Sequence, residues 1–197
     1  GNGGTQAVAK LADELNRKGT KWDYRISEPT SSSAYKTERY AFLWKTNAVK
    51  LKGKPWLEQQ YHLEIDSEHY FATFEIKGKT ITIASFHAIT KSKQPENEIK
   101  YFKLLPQEYP NLNLLFAGDF NCPQSHSVFT PLKKAGFAPI LKNQKTSLKQ
   151  TCKRNQCLAS EFDNIFYNSS KVTAENAGAV LFYRNFTTLK EARKISD

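Results

Sequence analysis

Residues 69–88 read HYFATFEIKGKTITIASFHA, two runs of β-branched and aromatic residues meeting at Lys77-Gly78-Lys79. Thr80, Thr82 and Ala84 alternate with Ile81, Ile83 and Ser85, the period-two pattern of a strand with two different faces. A Gly-centred turn between two such runs predicts an antiparallel β-hairpin. The hairpin restricts the architecture because helical patterns lie on both sides of it. A purely parallel, doubly wound sheet is excluded, and a mixed sheet with helices outside it is accommodated.

The remaining chain supplies the other pieces. Thr5 is placed to cap a helix whose stripe is Val8, Leu11, Ala12 and Leu15, and Gly19 is placed to end it. Strands are predicted at Trp22–Ile26, 38–45 (ERYAFLWK), NLLFAG, 161–167 (EFDNIFY) and 179–183 (AVLFY), with a Lys-rich loop running through Pro55. PENEIKYFKLLPQEY sets Ile99, Phe102 and Leu105 on one helical face. SVFTPLKKAG is a short helix ending at Gly136, and TLKEARK is a late one. No apolar run approaches the ~18 residues of a membrane span. No repeat or linker is evident, so residues 1–197 read as a single domain.

Several apolar strands end in a titratable or amide side chain, which builds a site along one rim of a sheet. Glu38 opens its strand, His87 closes TITIASFHA, Asp119 and Asn121 close NLLFAG, and Asp163 lies in FDNIFY. Strand alternation would put Asp119 and Asn121 on the same side, within reach of one water or one phosphate oxygen. The competing reading of GDFN is an Asx turn that merely closes the strand. His62 and His69 read as surface or packing residues, and His126 as a helix-start residue near Ser125.

Charge points to the partner. Lys plus Arg number 29 against 19 Asp plus Glu, a net charge of +10. From Phe120 to Ser160 there is no acidic residue, whereas Lys133, Lys134, Lys142, Lys145, Lys149, Lys153 and Arg154 fall there. Such clustering is the footprint of a surface that meets a phosphate backbone, and an anionic membrane would suit it as well. Cys152 and Cys157 in TCKRNQC could close a short disulfide or remain thiols; a zinc site would need further ligands, and no His lies near.

These motifs together resemble the endonuclease/exonuclease/phosphatase superfamily, and among its members the deoxyribonuclease I-type nucleases most. GDFN (118–121) is similar to its GD(F/L)N motif. YKTERYAFLW (35–44) resembles the segment whose Glu supports a catalytic His, hence Glu38, and SFHA (85–88) the strand end that provides that His, hence His87. FDNIFY (162–167) resembles the strand whose Asp orients a second His, hence Asp163, and ISD (195–197) the start of a terminal Ser-Asp-His signature. The resemblance implies a four-layered α/β sandwich, two mixed β-sheets packed face to face and flanked by helices. It further implies hydrolysis of phosphodiesters with Mg²⁺ or Mn²⁺, and Ca²⁺ as a further candidate. Asp119 would prepare the water, Asn121 position it, and Asp119, Asn121 and Asp197 lie at the metal end. Tyr35, Lys36 and Arg39 beside Glu38 and Asn164 beside Asp163, with Lys149, Lys153 and Arg154 of the basic segment, are the candidate contacts to DNA or another phosphodiester polyanion.

The sequence departs from that family in three places. It holds neither the QE motif with its metal-binding Glu nor a His after Asp197, so the domain is expected to be incomplete at both ends and weak as a catalyst. The chain has no Met, which agrees with a missing beginning. Ser67 and His69 stand about where the family carries Arg and then Pro. The resemblance and a Cys152–Cys157 disulfide lean toward secretion. The other readings are a phosphoinositide phosphatase or sphingomyelinase-like phosphodiesterase of the same fold, and a non-catalytic nucleic-acid-binding module.

Overall fold

The computed structural model describes residues 3–31, 37–153 and 156–196. Helix α1 (Gly3–Arg17) is followed by β1 (Trp22–Ile26) and β2 (Ala41–Lys45), which pair antiparallel as a two-stranded ribbon. Then come β3 (Lys50–Leu57), β4 (Tyr70–Ile76), β5 (Lys79–His87), helices α2 (Glu96–Ile99) and α3 (Leu105–Glu108), and β6 (Leu114–Asp119). A 3-10 turn leads into α4 (Thr130–Lys134), followed by β7 (Phe137–Pro139), β8 (Leu148–Lys153), β9 (Gln156–Leu158), β10 (Asp163–Asn168) and α5 (Leu189–Ser196).

The main sheet has six strands in the order β3-β4-β5-β6-β10-β7. The β4–β5 hairpin is formed as expected, and β5–β6 is parallel while the other neighbours run antiparallel. One face carries Phe71, Ala84, Phe86, Phe116 and Phe166, covered by Ile99, Phe102, Leu105, Phe129 and Leu132 from the helical side. Each of these large side chains adds about 1.5–3 kcal/mol of burial to that core. The other face carries Ala72 and Phe74, against which Phe42 and Trp44 of the ribbon pack with ring centroids 5.7 and 5.4 Å away. Helix α1 packs in turn on β1. The order helix, ribbon, sheet, helix is the expected α/β sandwich.

The local differences have physical causes. Thr5 lies inside α1, beyond its first residues, and not at the position before its start. The expected loop before Pro55 is strand β3: an edge strand tolerates Lys50, Lys52, Gly53, Lys54 and Pro55, and a bulge between Lys52 and Trp56 absorbs the Gly-Lys-Pro run. PENEIKYFKLLPQEY is broken into α2 and α3, because Pro106 can start a helix but not continue one. Ile99, Phe102 and Leu105 still share one buried face. AVLFY forms no strand; Val180 is 84% exposed and the segment turns into a 3-10 helix at Phe182–Asn185. Strand propensity without a neighbour to pair with is not enough.

Candidate active site

Three strand ends fall in line. His87 is the register partner of Asp119 across the parallel β5–β6 pair, and Asp119 is the partner of Asp163 across β6–β10. Side chains in register on adjacent strands point to the same face at about 5 Å spacing. His87, Asp119 and Asp163 therefore form one row at the rim of the sheet, on the face that holds the ribbon.

Glu38 reaches that row from the segment before β2. Its two oxygens lie 3.0 and 3.1 Å from His87 Nδ1. A carboxylate can only accept, so Nδ1 carries the proton and Nε2 is the ring nitrogen turned to other partners. The hydrogen bond from Glu38 raises the imidazole above its ordinary value; burial opposes this, and Glu38, Asp119 and Asp163 add attraction. Tyr40, which no motif singles out, accepts from the His87 backbone N–H at 3.3 Å. Burial lifts its phenol, which keeps the hydroxyl neutral.

The sign of the His87 shift gives a direct prediction. Replacing Glu38 with Gln removes the largest cause of the raised value, so the His87 midpoint followed by proton NMR should fall toward that of an ordinary histidine. Stability from a raised imidazole is fully present below the unfolded-state value and is lost as pH rises through the folded one. The Gln variant should therefore lose stability mainly on the acidic side of that window. An unchanged midpoint would show that the pair contributes nothing to the imidazole.

Asp119 is lifted above the usual carboxylate range by burial first, with Asp163 adding to it; the Asn121 N–H, 2.8 Å from Asp119 Oδ1, pulls it back. That bond is the Asx turn. Strand β6 stops at Asp119, and Asn121 has φ 47°, so a left-handed turn, not strand alternation, brings 121 beside 119. Asn121 Nδ2 donates to Ala88 O at 2.9 Å, which fixes the amide against the residue after His87. The turn and the pairing of the two side chains are thus the same feature.

Asp163 is held by Thr146, whose Oγ1 accepts from the Asp163 and Phe162 N–H groups at 2.9 and 3.2 Å. No motif pointed to Thr146 or Tyr40. A cavity of about 820 Å³ adjoins the Asp119–Asp163 end of the row, with Thr146, Ser147 and Arg193 in its walls. A second, of about 390 Å³, adjoins the other end beside Glu38, His87, Ser67, Thr90 and Lys93.

The expected polyanion contacts divide. Lys149 lies on β8, next to Leu148, which with the preceding Thr146 and Ser147 lines the cavity wall. The Cys152–Cys157 disulfide joins β8 to β9, with Cα atoms 4.4 Å apart. Arg39 donates to Ser27 O at 2.8 Å, and Asn164, 7% exposed, exchanges two hydrogen bonds with the backbone of Leu141. Both side chains thus help to hold the fold. Tyr35, Lys36, Arg154, Asp197 and the Lys153 side chain lie outside the described residues. His69 is fully buried and stacks on Phe86 with centroids 4.6 Å apart, burial pushing it down to about 3. It is a neutral packing residue. His126 starts a 3-10 turn, accepting from Val128 N, and His62 lies on the surface.

Among the described residues, no group of three or more His, Cys, Asp and Glu side chains converges as a protein-only metal cage requires. Mg²⁺ does not need one: it keeps several waters and takes one or two carboxylates plus phosphate oxygens. The carboxylate and amide oxygens around Asp119 suit such a partly hydrated hard cation.

No protein-family model matches the chain, and no curated protein is similar to it in sequence. Solved structures are similar in fold. The human Nocturnin catalytic domain with bound sulfate superposes with a TM-score of 0.54 at 16% identity, over 80% of this chain and 64% of that one. An endonuclease/exonuclease/phosphatase family protein from Bacteroides thetaiotaomicron gives 0.53 at 17%, over 81% and 65%. Danio rerio TDP2 in complex with single-strand DNA product gives 0.51 at 14%, over 84% and 69%. The chain has the endonuclease/exonuclease/phosphatase fold and spans about two thirds of the length of these structures.

Proposed function

We propose that the chain is the site-bearing part of a divalent-metal-dependent phosphodiester hydrolase, a DNA endonuclease of deoxyribonuclease I type. The observation that carries this is the in-register row His87–Asp119–Asp163 with Glu38 on the imidazole. Hydrolysis of a phosphodiester needs an aligned water, neutralisation of the charge gathering on phosphorus-bound oxygens, and support for the leaving oxygen. Asp119 accepts the proton of the water, and Asn121 holds that water in line. The imidazolium of His87, kept protonated by Glu38, donates from Nε2 to a phosphoryl oxygen or to the leaving oxygen. Asp163 adds the negative field that favours the charged imidazole. Asp119 and Asn121, with Asp197, would hold Mg²⁺ or Mn²⁺, which supplies Lewis-acid charge at the phosphate.

Three further features support a polyanionic substrate: the acid-free segment 120–160, the placement of Lys149 beside the cavity wall, and the fold shared with a TDP2 that holds a DNA product. The sulfate on Nocturnin agrees with an anion-binding site in this fold. The Cys152–Cys157 disulfide agrees with a protein working in an oxidising compartment.

The test is nicking of supercoiled plasmid in Mg²⁺. Nicking should appear with metal and stop with EDTA. DNA affinity should drop about a hundredfold between roughly 50 and 200 mM salt, as a contact with about four phosphates requires. Turnover of phosphoinositides or sphingomyelin in place of DNA would move the assignment to a lipid phosphoesterase, whose anionic membrane the same basic segment would meet. DNA binding without turnover in any metal would leave a binding module.

A further inference from the structure

We propose that Glu98 is a positioning residue for His87, a second carboxylate that fixes the imidazole by tying together the two loops beside it. The proposal rests on His87 being the phosphate-facing histidine described above.

Glu98 sits in α2 and is 3% exposed. Its Oε1 accepts from Asp66 N at 2.7 Å, and its Oε2 accepts from Ile89 N at 3.0 Å. Ile89 is two residues beyond His87. Asp66 precedes Ser67, whose side chain acts on the Tyr40 hydroxyl and opposes the rise of its phenol, and that hydroxyl accepts from His87 N. Two routes thus run from one carboxylate to the same histidine. One passes through 89–87, the other through 66, 67 and 40. Asp66, Ser67, Ala88 and Ile89 are also walls of the smaller cavity beside His87.

Only an ionised carboxylate suits this place. Both of its oxygens accept, and both face backbone N–H groups; an amide would set its own N–H against one of them and leave a buried donor unpaired. Burial is the largest influence and lifts the carboxyl above its ordinary value; the Ile89 and Asp66 N–H bonds and the charge on His87 pull it back toward the ionised form.

A matched control exists in the same molecule. Glu58, 2% exposed, accepts from Gln60 N, Tyr61 N and the Tyr109 hydroxyl, the same chemistry in a different loop. If Glu98 only stabilises the fold, Glu98→Gln and Glu58→Gln should behave alike.

The experiment compares these two variants and Glu98→Asp by thermal unfolding, by kcat and KM on DNA, and by the NMR signal of the His87 Nδ1 proton held by Glu38. Glu98→Gln should lower kcat about 10- to 100-fold with KM changed less than about threefold, and its Nδ1 proton should broaden into exchange with water. Glu58→Gln should lose comparable stability and keep both the signal and kcat. Should Glu98→Gln not fold, Glu98→Asp keeps both oxygens but lacks the reach to bond both loops, and it should weaken the signal in part. A signal in the Glu98 variants as sharp as in Glu58→Gln overturns the proposal, as does one already lost to exchange in the wild type. The signal is read without substrate, so a wild type that is ordered but inactive would sink the hydrolase reading and leave this one standing.

Discussion

Asp119→Asn should reduce metal-dependent plasmid cleavage by about 10³-fold, within the range seen when a positioned proton acceptor is removed. Asp119 is the middle of the row, the register partner of both His87 and Asp163, so its charge is felt at both ends. Asn is the informative replacement because it keeps the shape and an Oδ1 that can still accept from Asn121 N, which now bonds Asp119 at 2.8 Å. The turn at 120–121 should therefore survive, and the melting temperature should change by only a few degrees. His87 should titrate lower, since Asp119 is one of the groups that raise it. DNA binding measured without metal should stay within a few-fold or tighten, because a negative charge leaves a surface that meets phosphates. Cleavage by Asp119→Asn within tenfold of wild type would remove Asp119 from the chemistry.

The row itself was legible in the sequence because each member sits at one end of an apolar run, His87 and Asp119 where a strand stops, Asp163 where one starts and Glu38 just before one. Glu38, His87, Asp119 and Asp163 break four apolar runs, and strand ends on one rim bring such residues together. Their order across the sheet was not legible, since pairing of β6 with both β5 and β10 is a long-range choice that no local pattern encodes. Asn121 was found for an incomplete reason: its place depends on a left-handed turn, which the Asn itself permits. The supporting residues were hidden. Tyr40 looks like one more aromatic residue of a strand, and Glu98 like a solvent-facing residue of an amphipathic helix. Their roles come from which loops the fold lays beside them. Strand β3 was missed because Lys, Gly and Pro score against a strand, although an edge strand is where they are tolerated. AVLFY erred the other way, its β-formers finding no partner strand.

Gly118→Ala should be the most damaging single-methyl change in the described structure. A Cβ built on Gly118 would lie 1.8 Å from the carbonyl oxygen of Phe86, and φ there is +158°, a conformation side chains rarely adopt. The obstacle is backbone of the neighbouring strand, so no rotamer change relieves it. Restoring ordinary contact needs β5 and β6 to part by well over an ångström, where Phe86 and Gly118 are register partners. We expect a loss of about 4 kcal/mol or more, which for a domain of this size lowers Tm by roughly 10 °C. The next register pair is His87 with Asp119, so the same parting opens the His87–Asp119–Asp163 row. Activity should thus disappear even at temperatures where the variant is folded, and the Ala88 N–H, bonded to Asp119 O at 2.8 Å, should lose protection from hydrogen exchange. Gly136→Ala separates strain from collision: its φ is +93°, but the nearest atom to a new Cβ is Asn168 Oδ1 at 3.7 Å. That variant should cost only about 1 kcal/mol and leave cleavage intact. Equal losses at the two glycines would mean that the backbone dihedral alone, and not the close approach of β5 to β6, makes glycine necessary at 118, and the tight pairing that aligns His87 with Asp119 would no longer follow.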